Sequence, residues 1–161
     1  MAKERATKKS EPLVMVEMVF PNSTNHYGTM FGGKVLDLMD RAAFLAATRF
    51  TEQSIVTASM ERIDFFRPIK NGHLVELRAK VVYTGNTSLT IRVDLFAENP
   101  LRGYREQASQ GFFNMVSVDE HGHPIPVPSL IVETVEEKTD WERVKSILDF
   151  KKNQSAMLQP R

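Results

Sequence analysis

Asn25-His26-Tyr27-Gly28-Thr29-Met30-Phe31-Gly32-Gly33, followed by KVLDLMDRAAFLAA over Lys34 to Ala47, is the stretch that decides the fold. Val35, Leu36, Leu38, Met39 and the whole of Ala42 to Ala47 leave little polar face, so the run predicts a long helix buried nearly all round. Asp37, Asp40 and Arg41 interrupt it. A carboxylate in an apolar helix is costly unless it has a partner or a job. Ahead of the helix, paired glycines let another molecule approach free backbone N–H groups, and the helix dipole favours negative charge there. One segment thus offers an anion site and, two turns on, an acid/base candidate.

Working outward, Pro21 to Gly28 is a loop rich in Asn, Ser and Thr, and Leu13 to Phe20 reads as a strand. Residues 1–12 are polar and mixed in charge and are expected as a disordered tail. Beyond the helix, which ends near Phe50, come strands. In Ile55 to Phe66 the apolar phase slips, with Val56, Ala58 and Met60 on one face and Ile63 and Phe65 on the other, predicting a bulge near Glu61 and Arg62. Val75 to Tyr83 alternates cleanly against Glu76, Arg78 and Lys80, Gly85-Asn86 turns the chain, and Leu89 to Leu95 alternates again. Arg105 to Asp119 makes a further strand. Thr139-Asp140-Trp141-Glu142 has the form of a capping box opening a second helix, with the last ten residues expected to fray. The order is strand, loop, buried helix, then antiparallel strands: an α+β domain whose sheet wraps one helix. Residues 13–128 form that domain, and 129–161 a C-terminal extension with a helix. An unpaired edge strand or a second apolar surface would favour oligomers.

Composition narrows the function. A chain of 161 residues with 42% hydrophobic content is one domain with a real core. A net charge of +1 gives no field for nucleic acid or a membrane surface. The absence of cysteine excludes disulfides and thiol nucleophiles. Neither a signal peptide nor a bilayer-length apolar run is visible, so a cytoplasmic protein is expected. There is no P-loop, no dinucleotide fingerprint and no Ser-centred nucleophile elbow.

Asn25-His26-Tyr27-Gly28, Phe31-Gly32-Gly33, Met39-Asp40, Phe66-Arg67-Pro68 and Thr84-Gly85-Asn86-Thr87-Ser88, in this order and spacing, resemble the hotdog-fold acyl-CoA thioesterases of the YciA and cytosolic acyl-CoA hydrolase type. The likeness covers roughly residues 13–128. It implies a hotdog fold, an antiparallel sheet wrapped around one long helix, in subunits that pair sheets edge to edge and often assemble as a trimer of dimers. It implies hydrolysis of fatty acyl-CoA to free acid and CoA. It also implies a catalytic pair, Asn25 and Asp40, contributed by different subunits.

Each candidate residue has a plainer reading beside the chemical one. Asp40 could activate water or attack the thioester directly; it could also be a buried carboxylate paired with Arg41 or a backbone donor. Asp37, one turn earlier with no motif match, is expected to be structural or solvent-facing. Asn25 could orient water or polarise the carbonyl, or simply hold a turn. Gly32 and Gly33 could give N–H groups to a developing oxyanion, Gly33 above all, or allow tight packing against the sheet. Thr87 and Ser88 could contact the pantetheine arm or cap their turn, and Arg67 could bind CoA phosphates or be solvated. His121-Gly122-His123 reads as a turn, with too few neighbouring ligands for a metal. No cofactor is expected, CoA being part of the substrate. Two rivals stay open: a hotdog enoyl-thioester hydratase or dehydratase, with His26 as the candidate catalyst, and a non-catalytic acyl-CoA sensor.

Overall fold

A computed structural model describes residues 5–158 of the chain. The elements are β1 (Thr7–Lys8), β2 (Leu13–Met18), α1 (Gly32–Thr51), β3 (Ser54–Phe65), β4 (Leu74–Thr84), β5 (Ser88–Asn99), β6 (Tyr104–Val118), β7 (Ser129–Leu130) and α2 (Val135–Leu158). Five strands form one sheet in the order β2-β4-β5-β6-β3, every neighbouring pair antiparallel. The sheet curls around α1, which is the hotdog arrangement. A short parallel pair, β1 with β7, lies outside it.

The core fills the space between α1 and the concave face. Val35, Leu38, Met39, Ala42, Ala43 and Ala46 on the helix meet Leu77, Ala79, Ile91, Val93, Phe113 and Met115 on the strands. The helical alanines bring the helix axis close to the strands. Gly111 of β6 serves the same approach, since a Cβ there would collide with Ile63 and come within 3.4 Å of Met39 Cε. The helix is not buried all round as expected. Phe44 and Leu45 are 43% and 44% exposed and Asp37 and Arg41 are exposed, because the sheet covers one side only. The phase slip in β3 is present as register shifts between Thr57 and Ser59 and between Glu61 and Asp64, with Arg62 at φ 48°.

The expected disordered tail is corrected for residues 5–12; residues 1–4 lie outside the described residues. β1 pairs with β7, the Val81 amide donates to the buried Ser10 hydroxyl at 2.9 Å, and the Arg5 guanidinium donates to the carbonyls of Gly85, Asn86 and Val127. Long-range partners, invisible in a polar stretch, supply the order.

The second helix starts one turn earlier than expected. The capping box is Thr134 to Glu137: the Glu137 amide donates to Thr134 Oγ1 at 3.1 Å and the Thr134 amide to Glu137 Oε2 at 3.0 Å. Of the last ten residues, expected to fray, 152–158 continue the helix and 159–161 lie outside the described residues. α2 crosses the convex face of the sheet. Val144 packs with Val82 and Phe112, and Trp141 stacks on Tyr83 with centroids 4.4 Å apart. Arg92 Nη1 donates to Asp140 Oδ1 at 2.9 Å. Burial pushes the Arg92 guanidinium down, but Asp94 and Asp140 more than offset it and hold it above its ordinary value.

Candidate active site

Asp40 projects from the middle of α1 toward β3, half-buried, and accepts a 2.8 Å hydrogen bond from the Thr57 hydroxyl. Arg41 turns away from it, toward Glu17 (3.3 Å) and Asp37 (3.6 Å). The alternative of an Asp40–Arg41 ion pair is therefore set aside. Asp37 is the surface residue it was expected to be. Thr57 is the site residue that sequence reasoning missed. The bulge after it obscured the strand phase, so Val56, Ala58 and Met60 read as one face. The available signal was Ile55: it is buried against the helix, and Thr57, two residues on, faces the same way.

Asn25 sits in the loop before α1 with its carboxamide held. Oδ1 accepts from the Tyr27 amide at 2.9 Å, the Thr29 amide at 3.2 Å and the Thr29 hydroxyl at 3.2 Å. The turn-forming and chemical readings are compatible here, because the turn uses the oxygen and leaves Nδ2 to donate elsewhere. Among the described residues no hydrogen bond joins Asn25 to Asp40. His26 is exposed, lies against the Tyr27 ring at 3.9 Å, and has no carboxylate partner among the described residues.

α1 begins at Gly32 with Phe31 as N-cap and no side-chain cap. The Lys34 and Val35 amides reach back to the Phe31 carbonyl at 3.0 and 3.1 Å. The Gly32 and Gly33 amides precede the first helical bond and are left open. Neither glycine has a positive φ. A Cβ at Gly33 would meet nothing within 4 Å, and one at Gly32 only the Phe65 ring at 3.8 Å. Tight packing within the protomer therefore does not explain the pair. The space beside both glycines is open. A cleft of about 310 Å³ opens here between Gly32, Val35, Phe65, Phe66 and Arg67.

Thr87 and Ser88 close the β4–β5 turn, where the Gly85 amide donates to the Ser88 carbonyl at 2.8 Å. Ser88 aligns with Val116 and Val116 with Val56, so the turn lies two interstrand spacings from β3, about 10 Å. The protomer does not bring Thr87 or Ser88 to Asp40. Arg67 is exposed, its Nε 3.5 Å from Glu106, where the first cleft meets a second of about 560 Å³. His121 and His123 lie in a turn whose amides donate to Asp119 Oδ1 at 2.9 and 2.8 Å. Among the described residues no group of three metal-ligating side chains converges.

Known proteins share this architecture. The model of the thioesterase superfamily matches residues 27–104. An uncharacterized acyl-CoA thioester hydrolase of Bacillus subtilis, YkhA, is 37% identical over 129 residues, covering 80% of this chain and 75% of that one. The cytosolic acyl coenzyme A thioester hydrolase of Rattus norvegicus is 34% identical over 81% of this chain, which spans 35% of its length. The crystal structure of an apo-hexameric acyl-CoA thioesterase superposes with a TM-score of 0.89 at 36% identity, covering 96% of this chain and 99% of that one. The acyl-CoA hydrolase of Staphylococcus aureus, in complex with butyryl coenzyme A, coenzyme A and coenzyme A disulfide, superposes at 0.85 with 27% identity over 94% and 93% of the two chains. Structures of that enzyme with an asparagine, an aspartate or a threonine changed to alanine are also similar. There the aspartate follows the asparagine by fifteen residues and precedes the threonine by seventeen, the spacings of Asn25, Asp40 and Thr57 here. With an open helix start, a hydrogen-bonded Asp40–Thr57 pair between α1 and β3, and a relative 37% identical across three quarters of its length, the chain belongs to the thioesterase superfamily, among its acyl-CoA thioester hydrolases.

Proposed function

We propose that this protein hydrolyses fatty acyl-CoA thioesters to free acid and CoA at a site shared between two subunits. The observation that carries it is the half-buried Asp40 carboxylate, free of Arg41 and oriented by the Thr57 hydroxyl. Asp40 takes a proton from water, and the hydroxide attacks the thioester carbon. Negative charge develops on the carbonyl oxygen, which the open Gly33 amide, with Gly32 beside it, receives at the positive end of the helix dipole. The C–S bond breaks, and Asp40 returns its proton to the departing CoA thiolate. Direct attack by the same carboxylate, followed by hydrolysis of the anhydride, uses the same groups. Neither route needs a metal or redox cofactor.

Helical rise argues that the two halves come from different subunits. Gly33 and Asp40 are seven residues apart on one helix, about 10 Å along its axis, too far to act on one carbonyl. β3 supplies the means to pair them. It is a sheet edge of 12 residues with one side open, and Val56, Met60 and Phe65 stand exposed on it beside Phe44 of α1. Edge-to-edge pairing of two β3 strands brings Asp40 and Thr57 of one subunit toward Asn25 and Gly33 of the other. Thr87 and Ser88, remote from Asp40 in the protomer, are assigned to the pantetheine arm and Arg67 to the CoA phosphates. Exposed Val14, Val16 and Met18 on β2 support further assembly into a trimer of dimers, as does the hexameric relative. A cytosolic relative supports a cytoplasmic setting, and among the described residues no helix is long and apolar enough to cross a membrane.

The deciding experiment is free-thiol release from acyl-CoAs of graded chain length by wild type and Asp40→Asn. Turnover by wild type with a loss of about a hundredfold or more in the variant is the expected result. Unchanged turnover in the variant removes Asp40 from the mechanism. Binding without turnover in wild type makes the protein a sensor.

A further inference from the structure

The convex side of the β3 edge carries the far end of α2. The helix starts over β4, where Lys80 donates to Glu137, and crosses the sheet to β3, where Lys151 Nζ donates to Ser59 Oγ at 3.2 Å and to Glu61 Oε1 at 2.6 Å. It does not stop there. From Lys151 to Leu158 it runs on for about 10 Å, roughly two strand spacings past the last strand of the sheet. Its two flanks differ. Ile147, Phe150, Gln154 and Met157 recur at helical spacing on one, with Phe150 64% and Met157 85% exposed. Lys145, Asp149 and Lys152 occupy the other. The overhang has no strand of its own subunit beneath it, so two large apolar side chains stand in solvent.

A site shared across paired β3 edges determines what lies past the seam. Thr57 bonds Asp40, and the Phe65 ring stands beside Gly32. Bringing Asp40 of one subunit to the glycines of the other therefore sets Thr57 opposite Phe65 and centres the two strands near Glu61. Lys151 lands at that level. Arg143, on the apolar flank, shares a hollow with Arg62 and Asp64, so that flank looks along β3 toward the two-fold axis. Two α2 helices related by the axis cross the seam in opposite directions. An isologous contact then sets Phe150 of one against Met157 of the other, with Gln154 midway. We propose that the distal turns of α2 clamp the two subunits on the convex side, Phe150 and Met157 packing against α2 of a second copy of this chain. This rests on the reading of a site shared across β3. It places the clamp beside the β3 register shift between Glu61 and Asp64, where strand pairing is least regular.

The chain has no cysteine, so Gln154→Cys carries a single thiol and any disulfide it forms joins two chains. Mild oxidation is expected to convert it largely to a covalent dimer. Lys138→Cys, at the β4 end of the same helix, should stay monomeric under denaturing electrophoresis. Adding Met60→Asp, which opens the β3 edge, should abolish the cross-link and lower the sedimenting mass together. No cross-link in an assembly that Met60→Asp does dissociate, or a cross-link that outlasts the loss of mass, overturns the clamp and leaves β3 pairing in place. A sedimenting mass that Met60→Asp leaves unchanged sinks the shared seam, and the clamp with it. A second variant, Phe150→Gln/Met157→Gln, keeps good helix formers in the overhang. Its assembly should dissociate at a protein concentration about tenfold or more above that of wild type, with an unchanged midpoint counting against the contact.

Discussion

One methyl group at position 33 distinguishes a glycine kept for packing from one kept for a ligand. Alanine fits the empty space there and forms helix better, so Gly33→Ala is expected to keep Tm or raise it, by at most about 1 kcal/mol of stability. Thioester turnover should fall about tenfold or more, because the added group stands where the carbonyl must approach. Lost activity together with a lowered Tm would return the glycine to a packing role. Thr57→Val keeps the volume and removes the hydroxyl that aims Asp40. A fall in kcat of about tenfold with KM nearly constant is expected, since the bond orients a reacting group without holding substrate. Asp40 stood out in the sequence because charge is conspicuous in an apolar helix. Thr57 did not, because a threonine in a strand is ordinary and a bulge hid its direction.

At the level of elements, α2 depends on its first turn. Glu137 accepts the Glu133 and Thr134 amides and meets Lys80, and these bonds hold its carboxyl down at about 2 from an ordinary 4.5. The sign follows from the depression. Its contribution is full above about 4.5 and is lost as pH falls from there toward 2. Glu137→Gln should cost about 1 kcal/mol at neutral pH and flatten the acid side of a Tm-against-pH curve. A variant curve parallel to wild type down to pH 2 would contradict this. Asp140→Ala leaves Arg92 part-buried with Asp94 as its remaining carboxylate, and a loss of about 3 kcal/mol by denaturant titration is expected. The sequence carries two Thr-x-x-Glu boxes five residues apart, Thr134 to Glu137 and Thr139 to Glu142. Local pattern cannot rank them. Lys80, far away on β4, is part of what favours the first.

For the whole molecule, a shared site predicts complementation. Asp40→Asn and Asn25→Ala chains should each be nearly inactive. Unfolded together and refolded, they should recover about a quarter of wild-type activity, since half the dimers are mixed and each restores one site of two. No recovery from an assembly shown to contain mixed dimers would place both residues in one subunit's site. Met60→Asp on the open β3 edge should lower the sedimenting mass and activity together.

Alternation in β4 and β5, the apolar run in α1 and the slip in β3 were enough to place one helix against an antiparallel sheet, because each is a periodicity set by backbone geometry alone. The Gly-Gly pair and Asp40 drew notice for a similar reason, since they break the local pattern, but so does Asp37, and only the likeness in motifs singled out Asp40. Tertiary structure alone decided that residues 5–12 are ordered, that one side of α1 is bare, that Arg41 turns from Asp40 while Thr57 turns toward it, and that Lys151 of α2 reaches the β3 edge. Each of these depends on partners distant in the chain, and a contact across tens of residues leaves no mark on the spacing of either partner's neighbours.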